Sequence, residues 1–145
     1  MIVRKIIELK QIQQILTVKP DQTVQEAAQL LTAKKIGAVV VSSDGVSLDG
    51  ILSERDIVKT IGRTGASCLE DRVSNLMTAQ VMSCSPDDTT GTVMERMTEG
   101  RFRHMPVLED GKMIGIISIG DVVKARISEI QEENSALTGM IANSW

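Results

Sequence analysis

Two ten-residue stretches decide the fold of this chain: Gly50–Lys59 (GILSERDIVK) and Gly115–Lys124 (GIISIGDVVK). They carry Gly, Ile, Ser, Asp, Val and Lys at matching positions, at an offset of 65 residues. A second pair precedes them, Thr17–Thr23 (TVKPDQT) and Ser83–Thr89 (SCSPDDT), at an offset of 66 residues. Because both motifs recur in the same order and almost the same spacing, the chain contains an internal repeat.

Each copy of the repeat follows the same predicted order of elements. A short extended segment ends at a proline, which disfavours helix in the preceding residue. Thr23 and Glu26 then form a capping box at the start of a helix. An apolar strand at residues 38–41 is followed by a turn, a returning strand and a second helix. This second helix begins at Ser53 in the first copy and at Ser118 in the second. The order is therefore β-α-β-β-α in both copies.

A unit of about sixty residues with one apolar face is only marginally stable alone. We therefore expect an α/β (α+β) fold in which the tandem repeats pack sheet to sheet with pseudo-two-fold symmetry. The predicted boundaries are 12–65 for the first repeat, 66–80 for a linker, 81–128 for the second repeat and 129–145 for a C-terminal helix and tail. Within the linker, the pattern at 73–78 predicts a short helical turn docked on the second repeat.

Composition and charge exclude several classes of function. The chain has 145 residues and a net charge of −3, which disfavours general binding to nucleic acid or to anionic membranes. Cys68, Cys84 and the single His104 do not have the spacing of a metal site. Since no apolar stretch suits a signal peptide or a membrane span, the expected location is cytoplasmic.

The doubled Pro-Asp-x-Thr starts and the doubled Gly-Ile-x-Ser-x-x-Asp ends together resemble the CBS domain pair, also called a Bateman module, over roughly residues 12–128. Residues 103–107 (RHMPV) and 117–124 (ISIGDVVK) are similar to those of small bacterial proteins that contain only such a pair. The resemblance implies a regulatory ligand, an adenine nucleotide with AMP first and ADP, ATP or NAD as alternatives, and no obligatory cofactor. It also implies a homodimer that regulates another, unidentified protein and has no catalytic activity.

Two Ser-x-x-Asp motifs are the candidate ribose and phosphate sites: Ser53 with Asp56, and Ser118 with Asp121. Each is predicted at the start of a helix, where free N–H groups and the helix dipole favour a phosphate. The two carboxylate oxygens can accept hydrogen bonds from both ribose hydroxyls. The alternative is a plain helix cap, and the two roles can coexist.

The remaining candidates are basic and apolar residues. Arg103 is a predicted phosphate ligand because a guanidinium makes bidentate bonds to oxyanions. Arg55 is equally consistent with a phosphate contact and a surface role, and His104 with a ligand contact and a packed polar residue. By resemblance, the residues lining the two adenine slots are Thr17, Val18, Ala38, Val39 and Ile51 in one and Ser83, Cys84, Met105, Pro106 and Ile116 in the other.

The predicted function is thus a non-catalytic sensor of adenine nucleotides. One alternative ligand is S-adenosylmethionine. The other alternative is a ligand-independent module that docks on a partner protein through the C-terminal helix or a sheet edge. An enzyme is disfavoured because the sequence offers no visible acid–base pair, no nucleophilic Cys/His dyad and no metal set.

Overall fold

Helices and strands alternate in two similar sets along the chain. The computed structural model describes residues 1–10 and 15–143. The elements before and within the first copy are α1 (Val3–Leu9), β1 (Thr17–Val18), α2 (Val24–Lys34), β2 (Ala38–Val41), β3 (Gly50–Ser53) and α3 (Glu54–Thr64). The elements that follow are a 3-10 helix (Ala66–Glu70), α4 (Val73–Leu76), α5 (Thr90–Gly100), β4 (His104–Glu109), β5 (Lys112–Ser118) and α6 (Ile119–Asn143). Within these described residues no helix combines the length and apolarity needed to cross a membrane.

Both copies have the same strand topology. In the first copy, β2 pairs in parallel with β1, with Thr17 opposite Val40, and antiparallel with β3. In the second copy, β4 pairs antiparallel with β5, and a single parallel bridge between Cys84 and Val107 replaces β1. The predicted α+β fold of tandem repeats is confirmed, with the first strand of the second copy reduced to one residue.

Local chemistry explains where the first helix of each copy begins and ends. The hydroxyls of Thr23 and Thr89 each accept a hydrogen bond from the N–H three residues later, at 3.2 and 3.1 Å, as an N-cap does. The helices stop at Lys35 and Arg101, whose φ angles of 54° and 56° lie in the left-handed region. This conformation is uncommon for residues other than glycine, and its presence at both positions follows the repeat.

Each copy has its own core, and a segment from outside the copy completes it. Val3 and Ile6 of α1 are buried in the core of the second copy. Val73 of α4 is buried in the core of the first copy, and its N–H donates to the carbonyl of Gln22 at 2.8 Å. The prediction that residues 73–78 dock on the second copy is therefore wrong. The chain leaving α3 turns back at once, and α4 covers apolar surface that the first copy leaves open.

Candidate functional site

A cavity of about 740 Å³ lies between the two copies. One wall comes from the end of α2 and from β2, and the opposite wall comes from β5 and the first turn of α6. Ile7, Glu8 and Lys10 at the end of α1 and Ile15 and Leu16 just before β1 complete the lining. The volume falls within the range of small-molecule sites, and the walls are mostly apolar.

Asp121 supplies a carboxylate to this cavity. Its Oδ2 accepts hydrogen bonds from the Ser118 N–H at 2.8 Å and from Lys10 Nζ at 2.9 Å. In return, the Asp121 N–H donates to Ser118 Oγ at 3.2 Å, which caps α6. Burial favours a raised pKa for this carboxyl, but the bonds from Lys10 and Ser118 outweigh it and hold the pKa below its ordinary value. The group is therefore an anionic acceptor at neutral pH.

Asp56 occupies the equivalent position in the first copy but has different surroundings. Its Oδ2 accepts from the Ser53 N–H at 2.9 Å and from Ser53 Oγ at 3.0 Å, and its N–H donates to Ser53 Oγ at 3.2 Å. It therefore caps α3 as Asp121 caps α6. Asp56 does not line the cavity between the copies. In the first copy the capping role dominates, and the ligand role of Asp56 stays a prediction.

The cavity draws on both copies, whereas each predicted adenine slot drew on one copy only. Of the predicted residues, those that line the cavity are Ala38, Val39, His104, Ile116, Ser118 and Asp121. Those that do not line it are Thr17, Val18, Ile51, Ser53, Arg55, Asp56, Ser83, Cys84, Arg103, Met105 and Pro106. The grouping differs because pseudo-two-fold packing sets β2 of the first copy opposite β5 of the second. Val18, Cys84 and Met105 belong to the buried cores instead.

Sequence reasoning missed the lysines of the cavity. Lys34 and Lys35 line it from the end of α2, and Lys10 lines it from the end of α1. Lys35 could have been found, because the repeat aligns it with Arg101, which lies two residues before the predicted phosphate ligand Arg103. Lys10 could not, because it has no position in either repeated motif.

His104 lies in the cavity wall, close to the backbone of the first copy. Its Cε1 would lie 3.4 Å from a Cβ placed on Gly37. Burial lowers the pKa of His104 below its ordinary value, although the carboxylates of Glu54 and Asp121 oppose this effect. The ring is thus neutral at pH 7 and can donate or accept one hydrogen bond at the cavity wall.

The lowered pKa of His104 predicts a pH-dependent stability. Because the unfolded state binds the proton more readily, the free energy of unfolding should decrease as the pH falls below about 6.5, the ordinary value, toward the folded pKa. Urea denaturation at pH 7.5 and 5.5 measures this decrease. The chain has one histidine, so His104→Gln should remove most of it. An equal decrease in the variant would assign the effect to carboxylates.

The two cysteines are buried and should be chemically inert. Cys68 and Cys84 are free thiols with 2% and 4% of their surface exposed. Burial, followed by the nearby Asp88 carboxylate, raises the pKa of Cys84 to about 12. Since only the thiolate is a good nucleophile, we expect neither thiol to react with Ellman's reagent at pH 8 in the folded protein, and both to react in urea. Fast reaction without urea would contradict this.

Metal-ligating side chains do not cluster in the part of the chain that the structure describes. Residues 1–10 and 15–143 contain no group of three or more His, Cys, Asp or Glu side chains placed to hold an ion. The cavity itself has mostly apolar walls and is lined by two carboxylates, of Glu8 and Asp121, and by three lysines, Lys10, Lys34 and Lys35.

The repeat of this chain recurs in known proteins. The sequence profile of the CBS domain matches the chain twice, at residues 6–63 and 73–128. This chain belongs to the CBS domain family. Within the pair, the first match includes most of α1, although α1 packs on the core of the second copy.

Two curated relatives of this chain come from different organisms. The chain is 36% identical over 129 residues to the mitochondrial CBS domain-containing protein CBSX3 of Arabidopsis thaliana, which covers 86% of this chain and 63% of the relative. It is 33% identical over 130 residues to the CBS domain-containing protein YhcV of Bacillus subtilis, covering 88% of this chain and 89% of the relative. Both names describe the domain and no reaction.

Two solved structures share the fold of the CBS pair. The CBS-domain containing protein ATU1752 of Agrobacterium tumefaciens is 48% identical, with a TM-score of 0.82 over 87% of this chain and 99% of that chain. CBSX2 in complex with AMP is 27% identical, with a TM-score of 0.73 over 88% of this chain and 96% of that chain. These similarities agree with the described architecture of tandem repeats.

Proposed function

We propose that the cavity between the copies binds an adenine nucleotide, with AMP first, and that the protein is a regulatory sensor without catalytic activity. The observation that carries the proposal is the ionised Asp121 at the edge of an apolar cavity that both copies line. A carboxylate in this position suits the paired hydroxyls of a ribose, because it accepts two hydrogen bonds.

The apolar walls suit the adenine base. Ala38 and Val39 contribute from β2 and Ile116 from β5, so a flat ring can be held between aliphatic side chains from opposite sides. The chain has no tyrosine and only one phenylalanine and one tryptophan, and aliphatic contacts therefore replace aromatic stacking. The backbone groups of the strands supply polar contacts at the edge of the base.

Lysines around the cavity suit the phosphate. Lys34 and Lys35 lie at its rim, where two ammonium groups attract an anion and make charge-assisted hydrogen bonds to it. In this proposal they take the role that the sequence suggested for Arg103. The complex of CBSX2 with AMP, a protein of the same fold, supports AMP as the first ligand to test.

A ligand in this cavity would contact both copies at once. A ligand that fits one relative arrangement of the copies better than another shifts the protein toward that arrangement. We propose that this shift is the signal, and that a homodimer transmits it to a partner protein. Apolar residues exposed on α3 and α6, Val58 and Ile127 among them, support self-association.

The proposal is tested by isothermal titration calorimetry on nucleotide-stripped protein. AMP, ADP, ATP, NAD and S-adenosylmethionine are compared, and AMP should give a saturable binding isotherm. Native mass spectrometry of untreated protein reports any co-purified nucleotide and the oligomeric state together. If none of the five ligands binds, the sensor function is wrong. Turnover of a bound nucleotide would contradict the absence of catalysis.

A further inference from the structure

Lys10 reaches the cavity from a segment that belongs to neither repeated motif. The segment is held in place on the second copy, since Val3 and Ile6 are buried in its core. The N–H of Val3 donates to the carbonyl of Asp88 at 2.9 Å, and the Arg4 guanidinium lies 3.4 Å from Glu109. Because α1 ends at Leu9, the position of Lys10 is set by this packing.

The ammonium of Lys10 makes two hydrogen bonds inside the cavity. Nζ donates to Asp121 Oδ2 and to the backbone carbonyl of Ile116, both at 2.9 Å. The side chains of Lys10 and Asp121 are 32% and 24% exposed, so solvent screens the pair only in part. Both acceptors belong to residues that line the cavity.

The first copy provides a natural comparison. Asp56 makes the same capping bonds with Ser53, but its described hydrogen bonds include no lysine. The contact between Lys10 and Asp121 is therefore not a requirement of the helix cap. Of the two capping carboxylates, the one that receives this addition is Asp121, which lines the cavity.

We propose that Lys10 competes with the ribose of the ligand for Asp121. In the ligand-free protein the Lys10 ammonium is hydrogen-bonded to the Asp121 carboxylate, and a ligand binds by displacing this ammonium. The inference rests on the proposed function, because it requires that Asp121 receives the ribose. Displacement breaks a charge-assisted hydrogen bond and leaves a cation in the cavity. A nucleotide offers that cation a phosphate, whereas a nucleoside offers no anion. Lys10 thereby selects nucleotides over nucleosides.

Adenosine is the cleanest probe, because it carries the ribose but no charge. In calorimetry, Lys10→Met should bind adenosine about fivefold more tightly than the wild type, which corresponds to a partly exposed ion pair. AMP affinity should rise less or fall, so the preference for AMP over adenosine decreases. Lys5→Met is the matched control, since it removes the same charge from an exposed position of α1 that does not line the cavity, and its adenosine affinity should stay within about twofold of the wild type.

Lys10→Arg keeps a cation that can still pair with Asp121, and should keep adenosine affinity close to the wild-type value. Circular dichroism and thermal unfolding establish that each variant is folded. Weaker adenosine binding by Lys10→Met would make Lys10 an ordinary ligand contact and would overturn the proposal, as would unchanged binding. If neither the wild type nor Lys10→Met binds adenosine or AMP, the proposed function itself is wrong and the competitor role falls with it. Binding by the wild type without tightening in Lys10→Met overturns only the competitor role.

Discussion

Asp121→Asn should weaken AMP binding by about 10- to 100-fold, the range expected when a hydrogen-bonded charge is lost from a site. Asparagine keeps the size of the side chain but removes its charge and one of the two acceptor oxygens. The ribose then loses one of its two hydrogen bonds to the cavity. Calorimetry with AMP measures the change in affinity. This change also includes the effect of releasing Lys10 from its hydrogen bond with residue 121.

Asp56→Asn is the control for this prediction. Asp56 and Asp121 make equivalent bonds to Ser53 and Ser118, so both substitutions should weaken a helix cap by about 1 kcal/mol. Asp56→Asn should leave AMP binding in the cavity within about twofold of the wild type, because Asp56 does not line it. Equal losses in both variants would mean that capping, and not ribose contact, controls binding. A second site beside Asp56 would show as a second binding step that only Asp56→Asn removes.

Gly50→Ala should lower the free energy of unfolding by about 2 kcal/mol, as expected when a well-packed position is overfilled. The added Cβ would lie 2.6 Å from Met77 Sδ and 2.8 Å from the carbonyl oxygen of Thr78. The side chain of Met77 can move, but the backbone of Thr78 is held by two hydrogen bonds to Ile51, at 2.9 and 3.0 Å. The steric strain therefore cannot be relieved without disturbing these two hydrogen bonds.

Gly115→Ala is the matched control in the second copy. There the closest atom to an added Cβ is the Cδ1 methyl of Ile7, at 3.4 Å, and a side-chain methyl can adjust. We expect a loss of less than about 1 kcal/mol, measured for both variants by urea denaturation. Equal losses would show that the hydrogen-bonded contact between Thr78 and β3 is less rigid than the structure indicates.

The surroundings of Gly50 and Gly115 also show that each copy packs against a segment outside its repeated motifs. Met77, which follows α4, packs on Gly50 of the first copy, and Ile7 of α1 packs on Gly115 of the second. The equivalent contacts follow the pseudo-two-fold symmetry of the pair. They place Lys10 beside Asp121, whereas the described bonds of Asp56 include no such cation.

Elements whose causes are local could be predicted from the sequence. The capping of α2 by Thr23 and of α3 by Ser53 depends on bonds between residues three apart, and the motifs contain both partners. The repeat then extends these predictions from one copy to the other. The same reasoning found Asp121 and Ser118, because a helix start after a buried strand is visible in the sequence.

What the sequence determined by itself was the order of β-α-β-β-α elements, their caps and the two candidate carboxylates, since each of these depends on residues close together in the chain. The tertiary structure decided which carboxylate faces the cavity, which copy α1 and α4 support, and the bond between Lys10 and Asp121, which are 111 residues apart. Such contacts depend on how two nearly equivalent surfaces dock. A local pattern cannot determine them, because the residues that make such contacts are far apart in the sequence.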